Sequence, residues 1–286
     1  MKNKLEGKIV KNISNLYTVD VDGELYNCHP RGKFYNQKIT PMVGDNVVID
    51  GENNYILEIK ERKNFLKRPF IANVDVCIIT TSVKEPDLSL NLLDKLLCLV
   101  ISNNIKPIIC FTKVDLLNDD EKKEISTIYN YYNQIGIDVV YNTEIEKLNT
   151  LISKKTVVLT GQSGAGKSSL LNRLNPDLKL NTSEISKALG RGVHTTRHTE
   201  TFKYLDSLIS DTPGFSSLDL TDLTKENIRD SFIEFGHDCN FRDCFHMNEK
   251  NCEVKNRVGK DILKSRYDNY IKLVNEYGSK RVFFKN

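Results

Sequence analysis

A chain of 286 residues with 39% hydrophobic and 28% charged side chains is long enough for two or three domains and has the composition of a globular protein. No apolar run approaches the roughly 18–20 residues that span a bilayer, and the first five residues are basic without the apolar stretch of a signal peptide, so a cytosolic protein with no membrane partner is expected. The net charge of +3 is uneven: residues 1–68 carry 12 Lys/Arg against 9 Asp/Glu, residues 255–286 carry 9 against 3, and the middle is left at −6. Basic ends around an acidic centre fit two readings, ends that touch a polyanion or a merely solvated basic tail.

From residue 5 to about 60, short alternating runs are broken by Gly, Asn, Asp and Pro at intervals of about ten residues, which predicts a small antiparallel barrel. An OB-fold, whose face often binds nucleic acid, and an SH3-like barrel both fit. Residues 74–82, VDVCIITTS, then form the nearly continuous apolar run of a strand buried on both faces. Ser89 is placed to cap a helix whose apolar positions are Leu92, Leu93, Leu96, Leu97 and Val100. PIICF (107–111) predicts a second buried strand, Asp119 to about Gln134 a helix ending near Gly136, IDVVY a third strand and TVVLT (156–160) a fourth. Strands alternating with helices imply a parallel, doubly wound α/β sheet. Beyond DTPGF the chain turns polar and cysteine-rich, then closes with an amphipathic helix around Ile262, Leu263, Tyr267, Tyr270, Ile271 and Val274.

TKVD, Thr112 to Asp115, follows the second strand, at the strand end where doubly wound sheets bind ligands. Asp115 can accept hydrogen bonds from guanine N1–H and N2–H₂, a donor pair that adenine lacks, and Lys113 can lay its stem along the base. The segment from Gly161 to Ser168 satisfies G-x-x-x-x-G-K-[ST] between a predicted strand and a predicted helix. Its glycines let backbone N–H groups wrap phosphates at the positive end of the helix; Lys167 would meet the β- and γ-phosphates and Ser168 would ligate Mg²⁺. In SLISDTPGF, Asp211 suits a second Mg²⁺-side carboxylate and Gly214 a backbone contact to the γ-phosphate. The candidate GTP-binding set is Thr112, Lys113, Val114, Asp115, Gly161, Gln162, Ser163, Gly164, Ala165, Gly166, Lys167, Ser168, Ser169, Asp211 and Gly214. These are the parts of a GTPase in the order base reader, phosphate cradle, DTPG. A set of contacts is indifferent to where the chain begins, so this order marks a circular permutation.

Cys239, Cys244, His246 and Cys252 offer three thiolates and one imidazole within 14 residues, which suits a tetrahedral structural Zn²⁺, one per chain; His237 is a neighbouring alternative ligand. Cys77, Cys98 and Cys110 lie in apolar stretches as small core residues, and Cys28 is uninformative.

With these motifs the chain resembles the circularly permuted, ribosome-small-subunit-dependent GTPases, the RsgA (YjeQ) family. The resemblance runs through VGDNVVID, RKNFLKRPFIANVD, TKVD, GQSGAGKSSLLN, GRGVHTTRHTE, SDTPGF and CNFRDCFHMNEKNC. It implies an N-terminal OB-fold, a permuted P-loop GTPase domain and a C-terminal zinc-binding domain with a helix, here at 1–65, 66–221 and 222–286. It also implies GTP hydrolysis to GDP during late maturation of the small ribosomal subunit, with that subunit and its rRNA as partners; a monomer is expected. The alternative is an RNA-binding module for which nucleotide is only a structural switch. The sequence departs from the family and from GTPases at large in places. Thr112 stands where Asn is usual, Asn142 and Thr143 match poorly a Ser-Ala-like loop that would contact guanine O6, and Val193 and Arg197 vary within the histidine segment. Phe215 occupies the position of the water-orienting Gln of many GTPases, which leaves His194 as the candidate catalytic residue, His198 as its nearest alternative, and Thr195 and Thr196 as candidates for the switch-loop Mg²⁺ contact.

Overall fold

The computed structural model describes residues 4–36, 39–67, 70–178, 200–211, 223–236, 239, 241 and 243–277. The chain divides into two compact units, one of residues 1–78, 144–160 and 167–215, the other of residues 79–143, 161–166 and 216–286. Among the described residues no helix is long and apolar enough to cross a membrane.

The first unit opens with β1 (Lys4–Ile13), β2 (Leu16–Val21), β3 (Glu24–Pro30), a short helix α1 (Gly32–Asn36), β4 (Asn46–Asp50) and β5 (Tyr55–Ile59). The strands close into a barrel in the order β1-β2-β3-β5-β4, with β3 and β5 parallel and β4 returning antiparallel to β1. That Greek-key path is the OB arrangement, which decides between the two barrels expected from sequence. The period-two pattern turns Ile9, Val19, Val47, Ile49 and Ile56 inward, each fully buried, and Cys28 joins them. In the β1·β2 pair Ile9 faces Val19 and Lys11 faces Thr18, so Val10 is an extra, bulged residue.

The two strings around the barrel's exit are structural. Asp45 is fully buried and takes both arms of Arg62, Nε to Oδ1 and Nη2 to Oδ2 at 2.7 Å each, while the Met42 N–H donates to Oδ2 at 2.7 Å. Asn64 exchanges hydrogen bonds with the backbone of Val74, and Asn73, in the left-handed region at φ 53°, accepts from the Lys63 N–H and donates to the Gly44 carbonyl. These amides pin a hairpin of β6 (Phe65–Lys67) and β7 (Phe70–Ala72) that the alternation alone does not reveal.

A six-stranded sheet follows, from β8 (Val76–Ser82), β9 (Lys106–Thr112), β10 (Asp138–Tyr141), β11 (Thr156–Gly161), β12 (Glu200–Tyr204) and β13 (Ser207–Asp211), in the order β10-β9-β8-β11-β13-β12. The β9·β10 and β11·β13 pairs are parallel, as expected; the edge strand β12 runs antiparallel to β13. Its sequence, ETFKY, alternates with too few apolar residues to be read as a strand. Helices α2 (Leu90–Ser102), α3 (Asp119–Gln134), α4 (Ile145–Ile152) and α5 (Lys167–Leu174) connect the strands. Ser89 Oγ caps α2 by accepting from the Leu92 N–H at 3.3 Å, and Asn118 with Glu121 forms a capping box on α3. Cys77, Cys98 and Cys110 are buried in the core.

The C-terminal segment contributes α6 (Lys225–Asp230), α7 (Glu253–Arg257) and α8 (Lys264–Tyr277), with α6 and α8 packed on α2 within the second unit. The last helix begins two residues later than the apolar pattern reaches: Ile262 is buried ahead of it, in a bridge with Val258. One residue of α8 could not be read as core from sequence. Arg266 is 1% exposed, paired through Nη1 with Asp94 of α2 at 2.7 Å and through Nε with Glu234 at 2.7 Å. Tyr132 of α3 and Asn269 each donate to Asp94 at 2.7 Å, so the buried charges are hydrogen-bonded as well as paired.

Candidate functional site

The cradle lies at the end of β11. Gly161 has φ 142°, and a Cβ there would sit 2.1 Å from the Thr80 carbonyl oxygen, so the loop must begin on glycine. Gly166, φ 85°, closes the loop just before Lys167 starts α5. Leu170, Leu171 and Leu174 are buried and anchor that helix, while Ser168 and Ser169 remain half-buried in its first turn. Gln162, Ser163 and Gly164 are exposed and Ala165 is buried.

A hydrogen bond joins the candidate reader to the candidate cradle. Thr112, 1% exposed at the end of β9, donates through Oγ1 to the Ala165 carbonyl at 2.7 Å. The residue that departs from the usual Asn thus ties the end of β9 to the candidate phosphate loop. The turn then inverts: Lys113 is left-handed at φ 61°, and its Nζ donates to the Glu85 carbonyl. That contact fixes the lysine stem, and the short turn Val114–Leu116 presents Asp115 exposed, with no hydrogen-bond partner among the described residues. The Asn142 N–H donates to the Phe111 carbonyl at 2.9 Å, extending the β9·β10 pairing so that Asn142 arrives beside Thr112.

Asp211 ends β13, opposite Glu200. His194, Thr195, Thr196 and Gly214, with Val193, Arg197, His198 and Phe215, lie outside the described residues, as does His237.

The cysteine cluster forms as its spacing predicts. The ligand atoms of Cys239, Cys244, His246 and Cys252 lie within 4.8 Å of one another. Zn–S bonds of about 2.3 Å and Zn–N bonds of about 2.0–2.1 Å require tetrahedral edges of about 3.8 Å between sulfurs and about 3.5 Å between sulfur and nitrogen. The observed separations are 3.8 and 3.9 Å between sulfurs and 3.4 Å from His246 Nδ1 to each of Cys239 and Cys252. The donor set therefore fits a metal ion. Burial opposes ionisation of the Cys239 thiol, yet the backbone of Val254 and Glu253 outweighs it and holds this thiol below its usual range; burial pushes Cys244 up to about 12. Outside the ligands, Glu249 accepts from the Phe245 and Met247 N–H groups at 2.7 Å each, and Tyr267 of α8 donates to the His246 carbonyl at 2.6 Å.

Part of the terminal positive charge is engaged internally. Arg62 is held by Asp45, Lys60 by Glu6 and Lys63 by Asp75; at the other end Arg266 is buried, Arg257 pairs with Asp261 and Lys264 with Asp268. Counting charges along the chain therefore overstates what is available to a polyanion.

A family model for the RsgA GTPase matches residues 59–221, and one for the RsgA N-terminal domain matches residues 6–56. The chain is 45% identical over 287 residues to the small ribosomal subunit biogenesis GTPase RsgA 1 of Listeria monocytogenes, covering 97% of this chain and 99% of that one. It is 42% identical to the RsgA of Enterococcus faecalis over 98% of each. Its fold matches the crystal structure of YjeQ from Thermotoga maritima with a TM-score of 0.84 at 34% identity, over 97% of this chain and 100% of that one. It also matches YloQ, a circularly permuted GTPase, with a TM-score of 0.83 at 37% identity, over 99% and 98%. The order of the motifs agrees with the circular permutation for which YloQ is named, and the chain belongs to the RsgA GTPase family.

Proposed function

We propose that the protein binds the small ribosomal subunit through its rRNA late in maturation, hydrolyses GTP to GDP and phosphate there, and is released by that hydrolysis. The relatives named for small-subunit biogenesis support the setting. The observation that supports the chemistry is the Thr112–Ala165 hydrogen bond, which ties the segment proposed to read guanine to the loop proposed to cradle phosphates.

In this reading residues 1–65 serve rRNA, residues 66–221 nucleotide, and residues 222–286 a structural zinc; the protein works as a cytoplasmic monomer. Asp115 accepts from the guanine edge while Lys113 and Val114 flank the base. The backbone of residues 161–166 and Lys167 cradle the phosphates, with Ser169 in the same helical turn. Ser168, with Thr195 or Thr196 and Asp211, would hold Mg²⁺, which neutralises developing phosphate charge when bound. Gly214 senses the γ-phosphate through its backbone, and His194 orients the attacking water. Phosphoryl transfer to water asks mainly for positioning and charge stabilisation, and these residues supply both. Cys239, Cys244, His246 and Cys252 would hold one Zn²⁺ in a closed site without catalytic duty.

The test is hydrolysis of GTP and ATP with and without purified small subunits. GTP turnover that rises with subunits, with ATP inert, is the expected result. Tight GTP binding without turnover in either condition would instead assign nucleotide a purely structural role.

A further inference from the structure

The antiparallel edge of the sheet is gripped by the barrel, both within the first unit. Thr201, the second residue of β12, donates its hydroxyl to the carbonyl of Val10, and Lys203 pairs with Asp20 of β2. The acceptor is available because of the bulge: Val10 is the residue that β1 leaves out of its pairing with β2, and the β1·β4 pairing covers only Lys4 to Lys8. The carbonyl of this bulged residue is turned to a neighbouring strand.

The place of Thr201 in the sheet gives the contact its significance. In the β12·β13 register Thr201 faces Ser210 and Glu200 faces Asp211. The segment that carries His194, Thr195 and Thr196 enters the sheet at Glu200, and DTPG leaves it at Asp211. Both segments assigned to the γ-phosphate and the water are therefore tied to one residue pair, and Thr201 stands one step inside it. A cleft of about 510 Å³ opens alongside, lined by Lys8, Val10, Asp20, Thr156 and Lys203 among others, so solvent reaches the flank of this contact.

We propose that Thr201 is a positioning residue for hydrolysis: through the bulged Val10 carbonyl, the barrel fixes the strand from which both reacting segments spring, and so passes its seating on RNA to the hydrolytic step. The proposal rests on the reading of the protein as a subunit-stimulated GTPase. Thr201 touches no reacting atom. Its hydroxyl sets where the roots of the two segments lie, and a barrel displaced by rRNA carries them with it.

The experiment compares Thr201→Val, which keeps shape and removes the donor, with Thr201→Ser, which keeps the donor, in the full-length protein. Unstimulated GTP hydrolysis, the maximum rate at saturating subunits, the subunit concentration giving half that rate and the melting temperature are measured. Thr201→Val is expected to lower the maximum stimulated rate about tenfold, the weight of one lost hydrogen bond, and the melting temperature by a few degrees, while unstimulated hydrolysis and the half-saturating subunit concentration stay at the parent's values. Thr201→Ser should restore the rate. A valine variant with the parent's stimulated rate overturns the proposal. So does an equal fall in stimulated and unstimulated rates, a changed half-saturating concentration, or a lowered melting temperature without serine rescue. Absence of stimulation in the parent itself would refute the functional reading, a different outcome from any of these.

Discussion

Arg266 Nη1 lies 2.7 Å from Asp94 Oδ1, and both side chains are 1% exposed. The same guanidinium donates to Glu234 through Nε at 2.7 Å and Nη2 at 3.1 Å and lies over the Phe232 ring at 4.2 Å. One cation therefore serves two buried carboxylates, on α2 and on the 3₁₀ turn Ile233–Phe235. The turn's Phe235 packs edge-on to His246 at 5.5 Å, so the network and the cysteine cluster share a wall.

Removing the cation leaves two buried carboxylates without compensation. Arg266→Met is expected to destabilise the protein by about 3–5 kcal/mol, read as a lower midpoint in urea. Tyr132→Phe and Asn269→Ala each remove one donor to Asp94 and should cost about 1–2 kcal/mol. A methionine variant as stable as the parent would show that the network sets register without contributing stability.

A second prediction separates reading from bracing in TKVD. Asp115→Asn should weaken GTP binding about 10- to 100-fold, the scale of charge-assisted hydrogen bonds, and leave ATP binding unchanged. Thr112→Val should weaken GTP and GDP alike by about fivefold, because it removes the bond to the Ala165 carbonyl and loosens the cradle. Titration with fluorescent nucleotides checks both. Equal affinity of the parent for GTP and ATP would remove Asp115 from its role.

The sequence is readable wherever a local rule suffices. Ser89 announces its helix because caps act over three residues, and Cys239 to Cys252 announces a cluster because its ligands are close in the chain. The barrel type was not decidable, since alternation marks strands without telling that β5 inserts between β3 and β4. The bond from Thr112 to the Ala165 carbonyl is not legible either, because that partner is 53 residues away. Arg266 reads as surface charge on an amphipathic helix, because only the fold brings Asp94, 172 residues earlier, beneath it. Long-range partners of polar residues leave no period in the sequence.

The cysteine cluster predicts its own metal content. The purified protein should hold about one Zn²⁺ per chain, and Cys244→Ser should lose it. Tyr267 and Tyr270 anchor the carbonyls of His246 and Phe245 from α8, so the loss should expose the loop between α6 and α7 to protease while α8 stays protected on α2. Elemental analysis and limited proteolysis with mass mapping check this. A metal-free preparation with that loop still resistant would show that Glu249 and the tyrosines suffice to hold it.

The final prediction concerns the water-orienting group. Phe215, the residue after the DTPG glycine, has no side-chain donor or acceptor, so a polar group elsewhere must take that duty. His194 lies six residues before Glu200 and Phe215 four residues after Asp211, and Glu200 and Asp211 face each other across β12·β13. An imidazole can orient a water through either nitrogen. His194→Ala is expected to keep GTP and subunit affinity and to lose about 100-fold or more of subunit-stimulated hydrolysis, the lower range of a general acid–base or orienting contribution. His198→Ala, four residues nearer the strand, should change it far less. Single-turnover rates at saturating subunits measure the chemical step apart from product release. If the His194→Ala protein turns over at the parent's rate under those conditions, the water is oriented by a residue of the ribosome or by another group of this chain, and the histidine has no part in the step.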